Sequence, residues 1–216
     1  MTGLTAAMRY HPGGVIVLLA SLLLSPAAVG ETPSVSRAAD PRELVMRVSN
    51  ELVAALREQR EAIRQDEAIA YRLADEIVVP HIDFERIARW VLGKHWRSAS
   101  EAQRTAFMEG FRQHLMRTYV SSMINYTDEI LAHADEVNYP PLRNPNDSDQ
   151  VTVRSRISLP RGGTAQVDYT MVRTASSWKI ADLAIDGISL ALTYRKEFSA
   201  QISRNGLDAL ITDLKQ

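Results

Sequence analysis

A change of hydropathy period part-way along the chain limits its possible folds more than any other feature. From Asp40 to Met123 the apolar residues recur every three to four positions, as on helices; beyond Glu136 they alternate one by one, as on strands. After Asp186-Gly187 the spacing becomes helical again. A chain that runs helices, then strands, then helices builds an α+β domain with an antiparallel sheet, not alternating βαβ units.

The helical part has legible starts and stops. Asp40-Pro41 supplies an N-cap and a proline at the first helical position, and Leu44, Val48, Leu52, Leu56 and Ile63 predict one long amphipathic helix to about Gln65. A short helix is expected over 67–79, ended by Pro80, and a third from Asp83 to Gly93. Ser100 and Gln103 form an S-x-x-Q capping box, followed by Phe107, Phe111, Leu115, Tyr119 and Met123 at steps of four. Steps of four overshoot the helical turn, so this stripe slants and its two ends can meet different partners.

Strands are expected where Val151, Val153, Ile157 and Leu159 alternate with Thr152, Arg154, Arg156 and Ser158, and where Val167, Tyr169 and Met171 alternate with Gln166, Asp168 and Thr170. Pro160 to Gly163 is a turn between them. A third strand spans 178–185, with a parity shift between Ile180 and Leu183 that a bulge would produce. Helices follow, carrying Ile188, Leu192, Phe198 and Ile202 and then, after Asn205-Gly206, Leu207, Leu210, Ile211 and Leu214. The expected architecture is a curved antiparallel sheet with one face covered by helices. Trp90, Phe107, Phe111, Tyr119, Met123, Tyr169, Met171 and Trp178 all point toward the common interior on these assignments.

The first thirty residues stand apart from the fold. Arg9 precedes the run Val15–Leu24, too short to span a hydrocarbon core as a helix, and Ala28-Val29-Gly30 offers small residues for cleavage before Glu31. The expectation is an export signal over 1–30 and one domain over 31–216.

Composition then removes whole classes of chemistry. With 25 Lys+Arg against 26 Asp+Glu the chain lacks the basic excess of a nucleic-acid binder, and with no Cys it has no thiolate nucleophile, Cys-ligated zinc or iron–sulfur cluster. No histidine stands in a metal-ligand spacing, and no nucleophile elbow or phosphate-cradling glycine loop occurs. No metal or cofactor is expected. What remains is the aromatic and Met-lined interior: an ordinary core, or a cavity between sheet and slanted helices for an apolar ligand.

Specific blocks go further. Leu92, Gly93 and Trp96 (LGxxW), the Ser100/Gln103/Arg104 opening with its F-x-x-x-F-x-x-x-L-x-x-x-Y stripe, and GIS followed by Tyr194, Arg195, Phe198 and NGLDAL resemble the MlaC family of periplasmic phospholipid-binding proteins, also called toluene-tolerance auxiliary proteins. The resemblance implies a cone-shaped, NTF2-like fold around an apolar cavity. It also implies a periplasmic, monomeric phospholipid carrier, not an enzyme, that maintains outer-membrane lipid asymmetry. Such a carrier shuttles lipid between an outer-membrane lipoprotein–porin complex and an inner-membrane ABC transporter with an MCE-domain subunit, the phospholipid being cargo. The family's cavity is carried onto the helix residues Phe107, Phe111, Leu115 and Tyr119, and by strand pattern onto Val153, Val167, Tyr169, Met171 and Leu183. Two other readings stay open: an enzyme on a similar scaffold using Asp168, His81 or a tyrosine as acid or base, and a periplasmic chaperone with an open groove.

Overall fold

A computed structural model describes residues 40–142, 148–158 and 163–216, which belong to the packing unit Ala38–Gln216. The export-signal assignment lies outside the described residues, as do Leu159 and most of the expected turn at 160–163.

Helix α1 (Pro41–Glu58) starts as its sequence requires, with Asp40 Oδ1 accepting the Arg42 amide at 2.9 Å. It buries Leu44, Val45, Val48 and Leu56. The continuous helix expected to Gln65 breaks at Gln59, and a separate α2 (Arg60–Gln65) buries Ile63 alone. Next, α3 (Ala68–Leu73) runs into a π-helical turn, Ala74–Val78, and a 3-10 turn, Val79–His81. The wider π-turn keeps Ala74 and Ile77 buried while Pro80 ends the run.

Asp83 caps α4 (Phe84–Leu92), and Gly93 closes it at φ 53°, a left-handed conformation. A short α5 (Lys94–Ser98) leads to α6 (Glu101–Asn125), 25 residues long. The expected capping box is formed in full: Ser100 Oγ accepts from the Gln103 amide, and Gln103 Oε1 accepts from the Ser100 amide. Helix α7 (Thr127–His133) and a 3-10 turn, Ala134–Glu136, complete this part. Arg42 clamps it to α1 by donating Nε and Nη2 to the Tyr139 carbonyl at 2.9 and 2.8 Å.

The sheet has strands β1 (Gln150–Ser158), β2 (Thr164–Arg173), β3 (Trp178–Ile185) and β4 (Ile188–Ser189), antiparallel and in chain order. Met171 pairs with Ile180 while Thr170 pairs with Asp182, so Ala181 is the extra residue of a bulge where the parity shift placed one. Ile188, expected in the following helix, is instead paired with Ile185 in β4, and α8 (Leu190–Asn205) starts only after Ser189 caps it. The last helix is α9 (Leu207–Leu214). The α+β expectation stands: helices with a four-stranded antiparallel sheet.

Two apolar clusters divide the interior. One joins α1 to α3, the sheet and the second half of α6; it contains Leu56, Val120, Val153, Met171 and Trp178. The other joins α4, α8, α9 and the first half of α6 around Phe107, Phe111 and Phe198. The slant of the α6 stripe is thus what lets one helix serve both. Trp90 departs from the inward orientation expected of it. Ile87, Ala88, Val91 and Leu92 fill the buried face of α4, and Trp90 is left 43% exposed beneath the Arg195 guanidinium.

Candidate functional site

A chamber of about 280 Å³ lies where the two clusters meet. One wall is α6, through Phe111, Leu115, Met116, Tyr119, Val120 and Met123. Opposite stand Ile180, Asp182 and Leu183 of β3 and the α8 start, Leu190, Ala191 and Tyr194. The π-turn and the 3-10 turn close the end with Ala74, Val78 and Val79 and, at their exit, Ile82; Phe84 and Ile87 of α4 and Leu52 of α1 join them. Ile82 is tied to the sheet: it bridges to Ile180, and the Asp83 amide donates to the Ile180 carbonyl at 2.9 Å.

The bulge gives this wall its shape. Because Ala181 is extra, Ile180 and Leu183 both reach the chamber although they are an odd number of residues apart. Asp182, brought to the same wall, is already engaged. Its Oδ1 accepts the Leu183 and Ala191 amides at 2.8 and 3.0 Å, and its Oδ2 accepts the Ser189 hydroxyl at 2.5 Å. These bonds fasten the β3–β4–α8 corner and occupy the acid that faces the chamber.

Two phenols supply the other polar atoms. Tyr194 is fixed edge-on to Phe111 at 5.2 Å and against Phe198 at 5.3 Å. Burial first, and then the adjacent Tyr119 hydroxyl, push its pKa well above the ordinary tyrosine value, so it stays protonated. Tyr119 is 38% exposed, the most open of the lining residues, and marks the mouth.

Of the residues anticipated for this site, Phe111, Leu115, Tyr119 and Leu183 are on the chamber wall. Phe107 is one turn too early on α6 and is packed between Phe111, stacked at 5.5 Å, and Phe198, edge-on at 6.0 Å. Val153 and Met171 are fully buried in the sheet-side cluster and Tyr169 packs against it, while Val167 sits half-buried opposite Ser155 and Ile185. Burial also raises the Tyr169 pKa. Strand alternation put these four on one face correctly but could not say how deep along it the chamber lies.

The lining from the π-turn was missed, although Val78-Val79 before Pro80 was an apolar run at a forced stop. Tyr194 was in view within the GIS-to-Phe198 block without being placed on the wall.

Of the residues weighed as acid or base, a tyrosine is met on the wall by Tyr119 and Tyr194, while Asp168 and His81 stand elsewhere. Asp168 accepts from Arg154 Nε at 2.8 Å and from Gln166, on the other side of β2, and His81 ends the 3-10 turn; neither lines the chamber. Among the described residues no three His, Asp or Glu side chains converge as a metal site, and no helix is long and apolar enough to cross a membrane.

Comparison with known proteins places these features. The sequence model of the MlaC protein family matches residues 46–216. The chain is 24% identical over 196 residues to the toluene tolerance protein ttg2D of Pseudomonas putida, covering 90% of this chain and 84% of that one. It is 22% identical over 202 residues to the intermembrane phospholipid transport system binding protein MlaC of Haemophilus influenzae, covering 92% and 88%. A phospholipid-binding protein from Ralstonia solanacearum, solved in complex with a phospholipid, superposes with a TM-score of 0.72 at 28% identity, over 82% of this chain and 95% of that one.

Proposed function

The chain belongs to the MlaC family, and from that premise we propose that it is a periplasmic phospholipid carrier. The observation that carries the reading is the chamber itself: an apolar space between sheet and helices whose one acid is already hydrogen-bonded three times. Such a lining offers acyl chains a solvent and offers a reacting group little. Burying about thirty methylenes at roughly 0.8 kcal/mol each stabilises the bound lipid by on the order of 20 kcal/mol, so chains do not leave for water unaided. Delivery then happens at docking surfaces. In this reading the donor and acceptor are an outer-membrane lipoprotein–porin complex and an inner-membrane ABC transporter with an MCE-domain subunit, and the traffic maintains outer-membrane lipid asymmetry. Residues 1–30 direct export and are removed, and residues 31–216 act as a single domain whose cargo is phospholipid.

The volume adds a condition. A cavity of about 150 Å³ admits one benzene, so 280 Å³ is too small for two full acyl chains and the walls must part to load them. Without cargo, the apolar lining is left facing water or void. This favours either cargo or inward relaxation. Phe111, Leu115, Tyr119 and Leu183 already line the chamber and in this reading touch the chains first, with Phe107, Val153, Val167, Tyr169 and Met171 joining them as the walls part. The test is extraction of protein purified without added lipid, followed by mass spectrometry. Phospholipid near one molecule per chain is expected; well-folded protein that yields none overturns the proposal.

A further inference from the structure

The π-turn that closes one end of the chamber is tied to α6 by an exposed ion pair. Ala74 and Val78 of that turn line the chamber, and Asp75 between them pairs with Arg112 Nη2 of α6. The pair lies in an open groove of about 470 Å³ between α3 and α6, whose charged lining is Arg72, Arg112 and Arg117 against Asp75 alone. Arg117 donates to the Leu214 carbonyl at 2.7 Å, and Arg72 has no partner among the described residues. Glu109 stands 3.9 Å from the other Arg112 nitrogen, outside the groove, and already accepts from Gln113 at 2.7 Å. Met116 belongs to both spaces, lining the groove and the chamber alike. Whatever enters the groove therefore touches the chamber's own wall.

We propose that this groove receives an acidic segment of a partner protein, whose carboxylates engage Arg72 and displace Asp75 from Arg112, so that docking unlatches the π-turn and lets the chamber open. This deepens, and rests on, the carrier reading, in which the walls part and delivery happens at a docking surface. Charge selects the occupant: three guanidinium groups facing one carboxylate leave planar donors that fit further carboxylates. Shape selects it too, because a groove recessed between two helices admits an extended segment more readily than the flat phosphate layer of a bilayer. Accessibility allows the exchange. The Arg112 and Asp75 side chains are 31% and 51% exposed, so their pair is weak and a competing carboxylate can reach it. The element it releases is a π-helical turn, a form of helix that is rare and recurs at functional sites.

The test has two readouts on the purified chain: fluorescence anisotropy of a labelled hexaglutamate peptide at low salt, and transfer of pyrene-labelled phosphatidylethanolamine from the loaded chain to acceptor vesicles. The wild type is expected to bind hexaglutamate but not hexalysine, and to release lipid faster when hexaglutamate is bound. Asp75→Asn frees Arg112 without removing a guanidinium, so it should bind the peptide about threefold tighter and release lipid about threefold faster in its absence. Arg72→Gln should weaken peptide binding by about threefold. A wild type that does not bind hexaglutamate, including one that binds phosphatidylglycerol vesicles in its place, overturns the proposal. Peptide binding that leaves lipid release unchanged also overturns it, as does an Asp75→Asn chain that releases lipid faster without binding peptide tighter, which marks the pair as merely structural. A chain that binds the peptide but takes up no labelled phospholipid instead overturns the carrier reading, so the two failures are distinguishable.

Discussion

At the scale of single residues, the LGxxW block is a small machine for joining two helices. Leu92 is buried, Gly93 turns the chain at φ 53°, and Trp96 lies with Arg89 and Arg104 over its ring at 5.6 and 5.4 Å. Glycine suits position 93 because the backbone is left-handed, and a Cβ there would also press on the Arg195 guanidinium at 3.0 Å, which would have to shift. Arg195 in turn donates to the Trp90 carbonyl at 3.0 Å, bracing the end of α4. Gly93→Ala is accordingly expected to destabilise the fold by about 1–3 kcal/mol, read from the urea midpoint at unchanged slope. Arg104 likewise turns inward and donates to the Trp96 carbonyl at 2.9 Å.

At the scale of elements, local signals were legible and long-range ones were not. The Ser100 box could be read because every atom in it lies within four residues; its Gln103 also donates to Asp208 at 2.8 Å, linking the starts of α6 and α9. Ser100→Ala should cost about 1 kcal/mol in denaturant unfolding, with most of the α6 helicity retained by circular dichroism. The bulge was legible for the same reason, since parity is a property of neighbours. The break at Gln59 and the π-turn at Ala74–Val78 were not, because no proline or glycine marks either. Both answer to what the flanking helices pack against. The chamber was legible only in kind. Phe107 and Phe111 are the same residue one turn apart on one stripe, yet one is enclosed by rings and the other faces the void. Nothing in their sequence neighbourhood separates those fates, which depend on where α8 crosses.

At the scale of the whole molecule, the two clusters share α6 and enclose the chamber between them. Three half-buried histidines are expected to make the assembly sensitive to mild acid. Burial holds the pKa of His81, His95 and His114 below 6.5, helped in turn by Arg47, Lys94 and Arg117, with Glu197 opposing at His114. A lowered folded pKa means that the unfolded chain binds protons first. The contribution is therefore whole above about pH 6.5 and is lost as pH falls from there toward the folded values. The melting temperature should drop between about pH 7.5 and about pH 5.5, and His114→Gln should flatten part of that slope. Helix α9 bears on the same assembly from its outer side. Leu210, Ile211 and Leu214 seal the phenylalanine cluster, and Gly110 lets the helix approach until a Cβ there would stand 3.1 Å from Leu214 Cβ. The lid on those rings is thus made after α4, α6 and α8, the helices it covers: until it arrives, or after a protease clips it away, an oily face stays bare, and quality control has something to grip.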